Sequence, residues 1–144
     1  MTPTESGGLF SGTGSGDAQM ARDILDVNGA EARMVRIGMS LGATNTPTNA
    51  QFFWRNEDGN FGGGRSKAFN VIADGTQRIY EIDMTGDLNW DGTTIDRFRF
   101  DPVSNNGDSF QIDFIEFVSI APIPEPSSLL LSSLGMLFLL RRRR

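Results

Sequence analysis

Residues 33–41 read RMVRIGMSL, and every second side chain in this stretch is large and apolar. The apolar positions are Val35, Ile37, Met39 and Leu41. A period of two is that of a strand with one buried and one solvated face, because successive side chains point to opposite sides of a sheet. The stretch therefore predicts a half-buried strand within a larger antiparallel sheet.

Further segments of the same kind occur along the chain, at residues 50–55, 67–73, 78–84, 95–100 and 109–120. Residues rich in Gly, Asn, Asp and Ser separate them, which is the chemistry of turns. Asp74 and Gly75 lie between the second and third of these segments and predict a β-hairpin. Short strands with frequent turn signals predict an all-β chain, an antiparallel β-sandwich of the jelly-roll, galactose-binding-like kind.

The composition excludes several functions before any motif is considered. The 144 residues contain no Cys and no His, and the formal net charge is −5. Such a chain has no disulfide framework, no thiolate metal site, no cysteine nucleophile and no Ser-His-Asp triad. The first 121 residues hold nine basic and 17 acidic side chains, a net charge of −8. That acidity argues against a nucleic-acid partner, which requires clustered Lys and Arg.

The C-terminal end differs from the rest of the chain. Three of residues 122–126 are prolines, residues 127–140 are uncharged and rich in Leu, and residues 141–144 are all Arg. Closely spaced prolines predict a stiff extended spacer. The uncharged run predicts a short hydrophobic helix of about 21 Å, less than the roughly 30 Å core of a bilayer. Such a transmembrane-type helix is a poor permanent anchor, and the Arg cluster favours a cytoplasmic position for its end.

The order of these three pieces resembles the PEP-CTERM sorting signal of exported bacterial proteins. The residues that carry the resemblance are Pro124, Glu125, Pro126, Arg141, Arg142, Arg143 and Arg144, with the Leu-rich run between them. The resemblance implies an exosortase-type membrane protease as partner, cleavage near Pro-Glu-Pro and only transient insertion in the membrane. It also implies a final location on the cell surface or in the extracellular matrix of a Gram-negative-type bacterium.

The N-terminal end shows no matching export signal. Residues 1–8 lack the basic region and apolar run of a secretory signal peptide, so we expect the true start to lie upstream. We divide the chain into a Gly/Ser-rich leading segment at 1–20, the sandwich at 21–120 and the sorting signal at 121–144. The leading segment is expected to hold one edge strand, near Leu9 and Phe10.

Three pieces of the body carry a second resemblance. They are residues 50–54, residues 74–75 leading to 80–83, and residues 89–92 followed by 99–102 and 112–115. They are similar to a carbohydrate-binding-module-like, galactose-binding-type sandwich of secreted bacterial proteins. The chain departs from that pattern at residues 92–95, GTTI, which is one residue longer than the family's step. The resemblance implies glycan binding and, as in many such sandwiches, one structural Ca²⁺.

Glycan binding requires aromatic faces that stack on sugar rings, next to groups that hydrogen-bond to hydroxyls. The candidate contacts are Phe61, Trp54, Trp90, Asn60 and Arg65. For the two Trp residues a place in the core is the alternative, because aromatic side chains supply much of a sandwich core. Phe61 lies in a Gly-rich loop, so we expect its ring to be exposed.

Acidic residues are candidate ligands for the structural Ca²⁺, because this ion binds several carboxylate and carbonyl oxygens. The candidates are Asp17, Asp101 and Asp113. Residues 87–92, DLNWDG, match the start of a calcium loop, but its twelfth position is Phe98 instead of Glu. For Asp113, in the interior of a predicted strand, an ion pair with Arg99 is the favoured role.

No pair of carboxylates stands out by its spacing, so we predict no catalytic residue, no enzymatic activity and no other cofactor. The sequence favours an exported, non-catalytic protein of the surface or extracellular matrix that binds polysaccharide. Two alternatives stay open. The first is a structural or adhesive matrix protein without a specific ligand, and the second is an accessory C-terminal fragment of a larger secreted carbohydrate-active enzyme.

Overall fold

The computed structural model describes residues 4–6, 8–16, 18–45, 48–57, 59–62 and 64–119, and these form strands and turns. The strands are β1 (Thr4–Ser6), β2 (Leu9–Thr13), β3 (Ala18–Asn28), β4 (Ala32–Leu41), β5 (Thr48–Asn56), β6 (Ser66–Val71), β7 (Arg78–Asp83), β8 (Thr94–Val103) and β9 (Ser109–Ser119). The prediction of an all-β chain is confirmed. The predicted C-terminal helix lies outside the described residues.

The strands form two antiparallel sheets that enclose one hydrophobic core. The five-stranded sheet has the order β1-β2-β9-β4-β7, and the four-stranded sheet has the order β3-β8-β5-β6. Among the described strands, β1–β2 and β5–β6 are the successive pairs that stay within one sheet. Every other connection crosses to the opposite sheet, so the two sheets are tied together by the chain along its whole length. The predicted antiparallel sandwich is therefore confirmed.

The alternation in β4 appears in the structure as the sequence predicts. Val35, Ile37, Met39 and Leu41 are fully buried on the inner face of the five-stranded sheet. Opposite them, Phe52 lies at the centre of an aromatic cluster, with ring centroids 5.9–6.4 Å from those of Trp54, Trp90, Phe98 and Phe117. Burial of one such large side chain stabilises a fold by about 1.5–3 kcal/mol, so this cluster is a main source of stability.

β9 carries large apolar side chains on both of its faces. Phe110 and Ile112 face the core, but the register with β4 shifts between Gly38 and Met39. Beyond this bulge the alternation changes phase, so that Ile115 and Phe117 pack against the core instead. β9 is also a central strand, between β2 and β4.

Gly38 is required on the outer face of this same sheet. Phe114 is its partner on β9, and a Cβ atom on Gly38 would lie 2.5 Å from the Phe114 ring. The missing side chain lets the ring lie flat over the strand. The residue type at position 38 is therefore fixed by a neighbour that is 76 residues away in sequence.

The N-terminal boundary of the sandwich differs from the predicted one. The strand expected near Leu9 and Phe10 is present as β2, but it is not at the edge, because β1 pairs with its outer side. β3 was not predicted at all. Its pairing with β8 shifts register twice, between Ala18 and Met20 and again between Asp23 and Val27, and these irregularities remove the period of two from its sequence.

The hairpin predicted at Asp74 and Gly75 was wrong. β6 and β7, which flank these residues, lie in different sheets. Gly75 has a φ of 78° and donates its N–H to the carbonyl of Leu41, which fixes the crossing between sheets. A turn signal of this kind reports a reversal of the chain, but it does not report which strand the second segment joins.

Candidate functional site

The outer face of the four-stranded sheet consists of every second residue of its two central strands. The outward residues are Gln51, Phe53 and Arg55 on β5 and Arg97, Arg99 and Asp101 on β8. The residues between them are buried in the core. These six residues are named the arginine face. It is a half-exposed, flat surface because a pleated sheet presents alternate side chains in rows.

Arg99 lies at the centre of the arginine face. Its Nε and Nη2 atoms donate hydrogen bonds to the two carboxylate oxygens of Asp101, at 2.8 and 2.6 Å. Its guanidinium carbon is 4.6 Å from the centroid of the Phe53 ring on the neighbouring strand. A cation over an aromatic face gains about 0.5–1 kcal/mol at an exposed site. The ring, the guanidinium and the carboxylate are therefore held as one fixed group.

Two further arginines of this face are also paired. Arg55 donates from Nε and Nη2 to both oxygens of Asp96, at 2.8 and 2.7 Å. This hydrogen bond is the main cause that holds the pKa of Asp96 below its usual range, and it raises the pKa of Arg55. Arg97 lies 3.3 Å from Asp23 of β3, measured from Nε to Oδ1. Each arginine thus has its own aspartate, and the surface carries little net charge.

Phe61 adjoins the arginine face from the loop after β5. The Phe61 ring is half-buried, and the guanidinium carbon of Arg97 lies 6.0 Å from its centroid. Asn60 is exposed. Of the five predicted glycan contacts, Phe61 is the one whose ring lies beside a residue of the arginine face.

The prediction of glycan contacts at Trp54 and Trp90 is corrected by their burial, because both side chains have no exposed surface. Their rings meet edge to face at 5.5 Å. Each indole N–H is satisfied within the protein, from Trp54 to the carbonyl of Asn89 at 2.8 Å and from Trp90 to that of Ala32 at 2.6 Å. Both residues belong to the core, which was the alternative that the sequence left open.

Arg65 also has a structural position. Its Nε donates to Oδ1 of Asn56 at 2.9 Å, and the side-chain amide of Asn56 donates to the carbonyl of Asn89 at 3.1 Å. Asn56 is 3% exposed. Arg65 is therefore linked through Asn56, at the end of β5, to the turn of residues 87–93. It acts on the arginine face only indirectly, by holding the loop that carries Phe61.

Two of the three calcium candidates, Asp101 and Asp113, lie within the described residues. Both carboxylate oxygens of Asp101 accept hydrogen bonds from Arg99, so the expected ion pair of Arg99 is made with Asp101 and not with Asp113. Asp113 is exposed at the bulge of β9. Asp17 lies outside the described residues. No cluster of three or more acidic residues that could hold a metal ion occurs in the described part of the chain.

The calcium-like stretch forms a compact turn over the aromatic core. The carboxylate of Asp87 accepts a hydrogen bond from the backbone N–H of Asn89 at 3.0 Å. The backbone carbonyl of Asp87 accepts hydrogen bonds from the N–H groups of Trp90 and Asp91. Gly29 packs so closely against this turn that a Cβ there would lie 1.9 Å from the carbonyl oxygen of Trp90. The turn closes one end of the sandwich, with Trp90 buried beneath it.

Sequence reasoning missed the arginines of this face as candidate contacts. The signal was present in residues 97–101, RFRFD, where arginines alternate with phenylalanines and are followed by an aspartate. The alternation shows that the arginines share one face, but the sequence does not show that Phe53 and Phe61 lie beside them. Those contacts depend on the pairing of β5 with β8 and on the path of the loop.

The family comparison concerns the C-terminal end. Residues 122–144 match the PEP-CTERM protein-sorting motif. The resemblance seen in the sequence is therefore confirmed, and the signal indicates export and sorting to the cell surface. The sorting residues themselves lie outside the described residues. In the part of the chain that the structure describes, no helix has the length and apolar character needed to span a bilayer.

Two solved structures are similar to the body. The enzymatically active domain of tailspike protein 4 of bacteriophage CBA120 matches with a TM-score of 0.50 and 18% identity, over 78% of this chain and 15% of that one. A structure described as "CBM4 structure and function" matches with a TM-score of 0.47 and 10% identity, over 82% of this chain and 75% of that one. This chain thus spans a small part of the tailspike structure, and the likeness at 18% identity concerns the fold alone. A comparison with curated proteins finds no match.

Proposed function

We propose that this chain is an exported, non-catalytic glycan-binding protein of the bacterial surface or extracellular matrix. The observation that carries the proposal is the fixed group formed by Phe53, Arg99 and Asp101. An aromatic ring can stack on the C–H face of a sugar. A guanidinium with five donors and a carboxylate with about four lone-pair sites can serve its hydroxyls even when they are paired with each other.

The charges favour a neutral polysaccharide over an acidic one. Each arginine of the face is accompanied by an aspartate, so no excess positive charge is offered to a polyanion. The first 121 residues carry a net −8, which repels polyanions at long range. The ligand class that we infer is therefore a hydroxyl-rich chain without carboxylate or sulfate groups.

The strand order supports assignment of the sandwich to the jelly-roll group. Without β1, the two sheets contain four strands each, and nearly every connection crosses between them, as in a double-sheet jelly roll.

Sorting by an exosortase-type protease, with the membrane as a transient location, belongs to the same proposal. It rests on the match of residues 122–144 to the sorting motif.

Affinity electrophoresis of the full chain tests the proposal. Gels containing one neutral or one acidic polysaccharide at a time are compared with a gel that contains none. We expect slower migration in at least one neutral gel and none in the acidic gels. Unchanged migration in every gel would contradict glycan binding and would favour the alternative of a structural or adhesive protein without a specific ligand.

A further inference from the structure

A groove of about 1030 Å³ opens between the two sheets, along β3 of one sheet and β9 of the other. Its walls include Met20, Ile24 and Val27 from β3 and Ile112, Ile115 and Phe117 from β9. Ligand pockets in proteins have volumes of about 300–1,000 Å³, mostly apolar walls and a few polar groups. The groove therefore has the size and the lining of a ligand site.

Both walls are irregular where they line the groove. On β3, the register with β8 shifts between Asp23 and Val27, so Ile24 lies in a segment without regular pairing. On β9, the register with β4 skips Asp113. Bulges of this kind re-aim side chains and are frequent beside functional sites. Two of them on opposite walls indicate that the strands build the groove, and that it is not a gap left by poor packing.

The groove carries a cation on its inner side. Arg22 is the partner of Phe98 on β8, and residues directly opposite each other in antiparallel strands share one face of the sheet. Phe98 is buried in the core, so Arg22 lies on the inner side of β3, between Met20 and Ile24. This position places a guanidinium among apolar walls, where a ligand in the groove would meet it.

Arg22 differs from the other arginines in having no partner within the described residues. Every other arginine of that part of the chain faces a carboxylate or donates to a carbonyl oxygen. Asp23 does not neutralise Arg22, because it lies on the outer face and pairs with Arg97. Asp113 is exposed at the irregular point of β9. The guanidinium of Arg22 is therefore available for a two-donor contact with a carboxylate.

The edge of β3 argues against an extended peptide as the occupant of the groove. β3 is the outermost strand of its sheet, so its outer backbone groups are not paired within that sheet. Two register shifts interrupt this edge and an inward charge lies between them, and both features protect natural edge strands from pairing with a further strand. An alkyl chain has no backbone to pair and requires only apolar walls.

The length of the groove sets the length of such a chain. From Arg22 to Val27 the groove follows about 16 Å of strand, at roughly 3.3 Å per residue. With C–C bonds of about 1.52 Å, an all-trans alkyl chain advances about 1.25 Å per bond. The groove beyond Arg22 therefore accommodates about 12–14 carbon atoms.

We propose that the groove between β3 and β9 binds a free fatty acid of about 12–14 carbons. Its carboxylate contacts Arg22, and its chain runs past Ile24 and Ile115 toward Phe117. Each CH₂ group that enters the groove strengthens binding about fourfold, and a single carboxylate is repelled less by the acidic body than a polyanion is. This inference goes beyond the proposed function, and it does not depend on glycan binding.

Equilibrium dialysis of the full chain against radiolabelled saturated fatty acids tests the chain length. The series covers about 8 to 18 carbons, each acid being kept below its micelle concentration. Affinity should rise about fourfold per CH₂ up to about 14 carbons and then level off, because longer chains extend beyond the groove. A rise that continues to the longest acid would overturn the proposal, since it would indicate partition into any apolar surface.

Two isoleucine variants test the place of binding. Ile24→Glu puts a charge on the groove wall and should weaken binding of dodecanoate at least about twentyfold. The control is Ile79→Glu on β7, where Ile79 is 51% exposed and outside the groove, and it should leave the affinity unchanged. Equal affinities of the two variants would overturn the proposal. A dimer of the natural chain that Ile24→Glu dissociates in size-exclusion chromatography would overturn it in favour of a second copy.

Arg22→Gln tests the head group, and it also serves if Ile24→Glu does not fold, because Arg22 is exposed. The natural chain should bind dodecanoate about tenfold more tightly than dodecanol, through the charged hydrogen bonds to the guanidinium. Arg22→Gln should remove this preference and leave the affinity for dodecanol unchanged. A preference for the acid that survives in Arg22→Gln would overturn the assignment of the carboxylate to Arg22.

Discussion

The two faces of the four-stranded sheet are made by the same strands but have different roles. Phe52 and Phe53 are consecutive residues of β5, yet Phe52 lies at the centre of the buried aromatic cluster and Phe53 lies on the surface beneath Arg99. The next two residues of β5 show the same contrast, since Trp54 is buried and Arg55 is half-exposed. The residue type alone does not distinguish a core aromatic from a ligand-facing one, whereas its parity in the strand does.

If the outer face binds glycan as proposed, this contrast separates stability from recognition. The inner face holds rings whose polar atoms are satisfied within the protein, so a substitution there changes the free energy of unfolding. The outer face holds arginine–aspartate pairs that are partly solvated, and such pairs contribute only about 0–1 kcal/mol to stability. We therefore expect outer-face substitutions to change binding much more than folding.

The largest effect is expected from Trp54→Ala, on the inner face. Removal of this fully buried ring should lower the free energy of unfolding by about 3–5 kcal/mol, because it leaves a cavity beside Trp90 and Phe52. Urea denaturation measures the change. The matched control is Phe53→Ala, which should cost less than about 1 kcal/mol. Equal costs for the two variants would remove the distinction between the faces.

A smaller loss of stability is expected from Gly29→Ala, at a position that packs against the end of the inner aromatic cluster. The new Cβ would lie 1.9 Å from the carbonyl oxygen of Trp90, so the turn of residues 87–93 must move away. Overpacking of this kind costs about 1–3 kcal/mol. A red shift of the Trp fluorescence together with a lower unfolding midpoint would confirm it. An unchanged midpoint would show that the turn does not hold the cluster closed.

On the outer face, Phe53→Ala should weaken retention by a neutral polysaccharide about tenfold, equivalent to about 1.4 kcal/mol of binding free energy. The ring is lost both as a stacking surface and as the support of Arg99. Affinity electrophoresis over a series of polysaccharide concentrations gives the ratio. Retention equal to that of the natural sequence would remove Phe53 from the site.

The smallest effect is a pH dependence of the outer face. Folding lowers the pKa of Asp96 from the usual 3.8, mainly through its hydrogen bond with Arg55. A lowered pKa gives stability that is complete above the unfolded-state value and is lost as the pH falls through the lower native value. The difference in unfolding free energy between the natural chain and Asp96→Asn should therefore be constant above about pH 5 and shrink toward pH 2. A difference that stays constant down to pH 2 would contradict the pairing.

Much of the fold could be predicted because apolar and polar side chains alternate within single strands. The inward residues of β4 and β5 follow the period of two, and the pairing of β4 with β7 and of β5 with β6 is regular. β3 was missed because two register shifts interrupt its period. The predicted pairing of β7 with β6 was wrong, because a turn at Asp74 and Gly75 carries no information about which sheet the chain enters next.

The candidate site was less predictable, because it depends on neighbours that are distant in sequence. Phe61 and Asn60 were predicted as contacts from their loop composition alone. The two Trp residues were offered as contacts because residue type is the same for a core ring and a sugar platform, and burial decides between them. Arg99 was expected to pair with Asp113. Asp101 instead accepts both hydrogen bonds, because it lies two residues from Arg99 on the same face of β8.

The most direct test of the central claim compares Arg99→Ala with Arg36→Ala. Arg36 is the matching arginine on the outer face of the five-stranded sheet, where it pairs with Glu81 and Glu116. Both substitutions remove one half-exposed, carboxylate-paired arginine, so their effects on stability should be similar. We predict that retention by the neutral polysaccharide falls about tenfold for Arg99→Ala and stays unchanged for Arg36→Ala. Equal retention of the two variants would contradict the assignment of recognition to the arginine face.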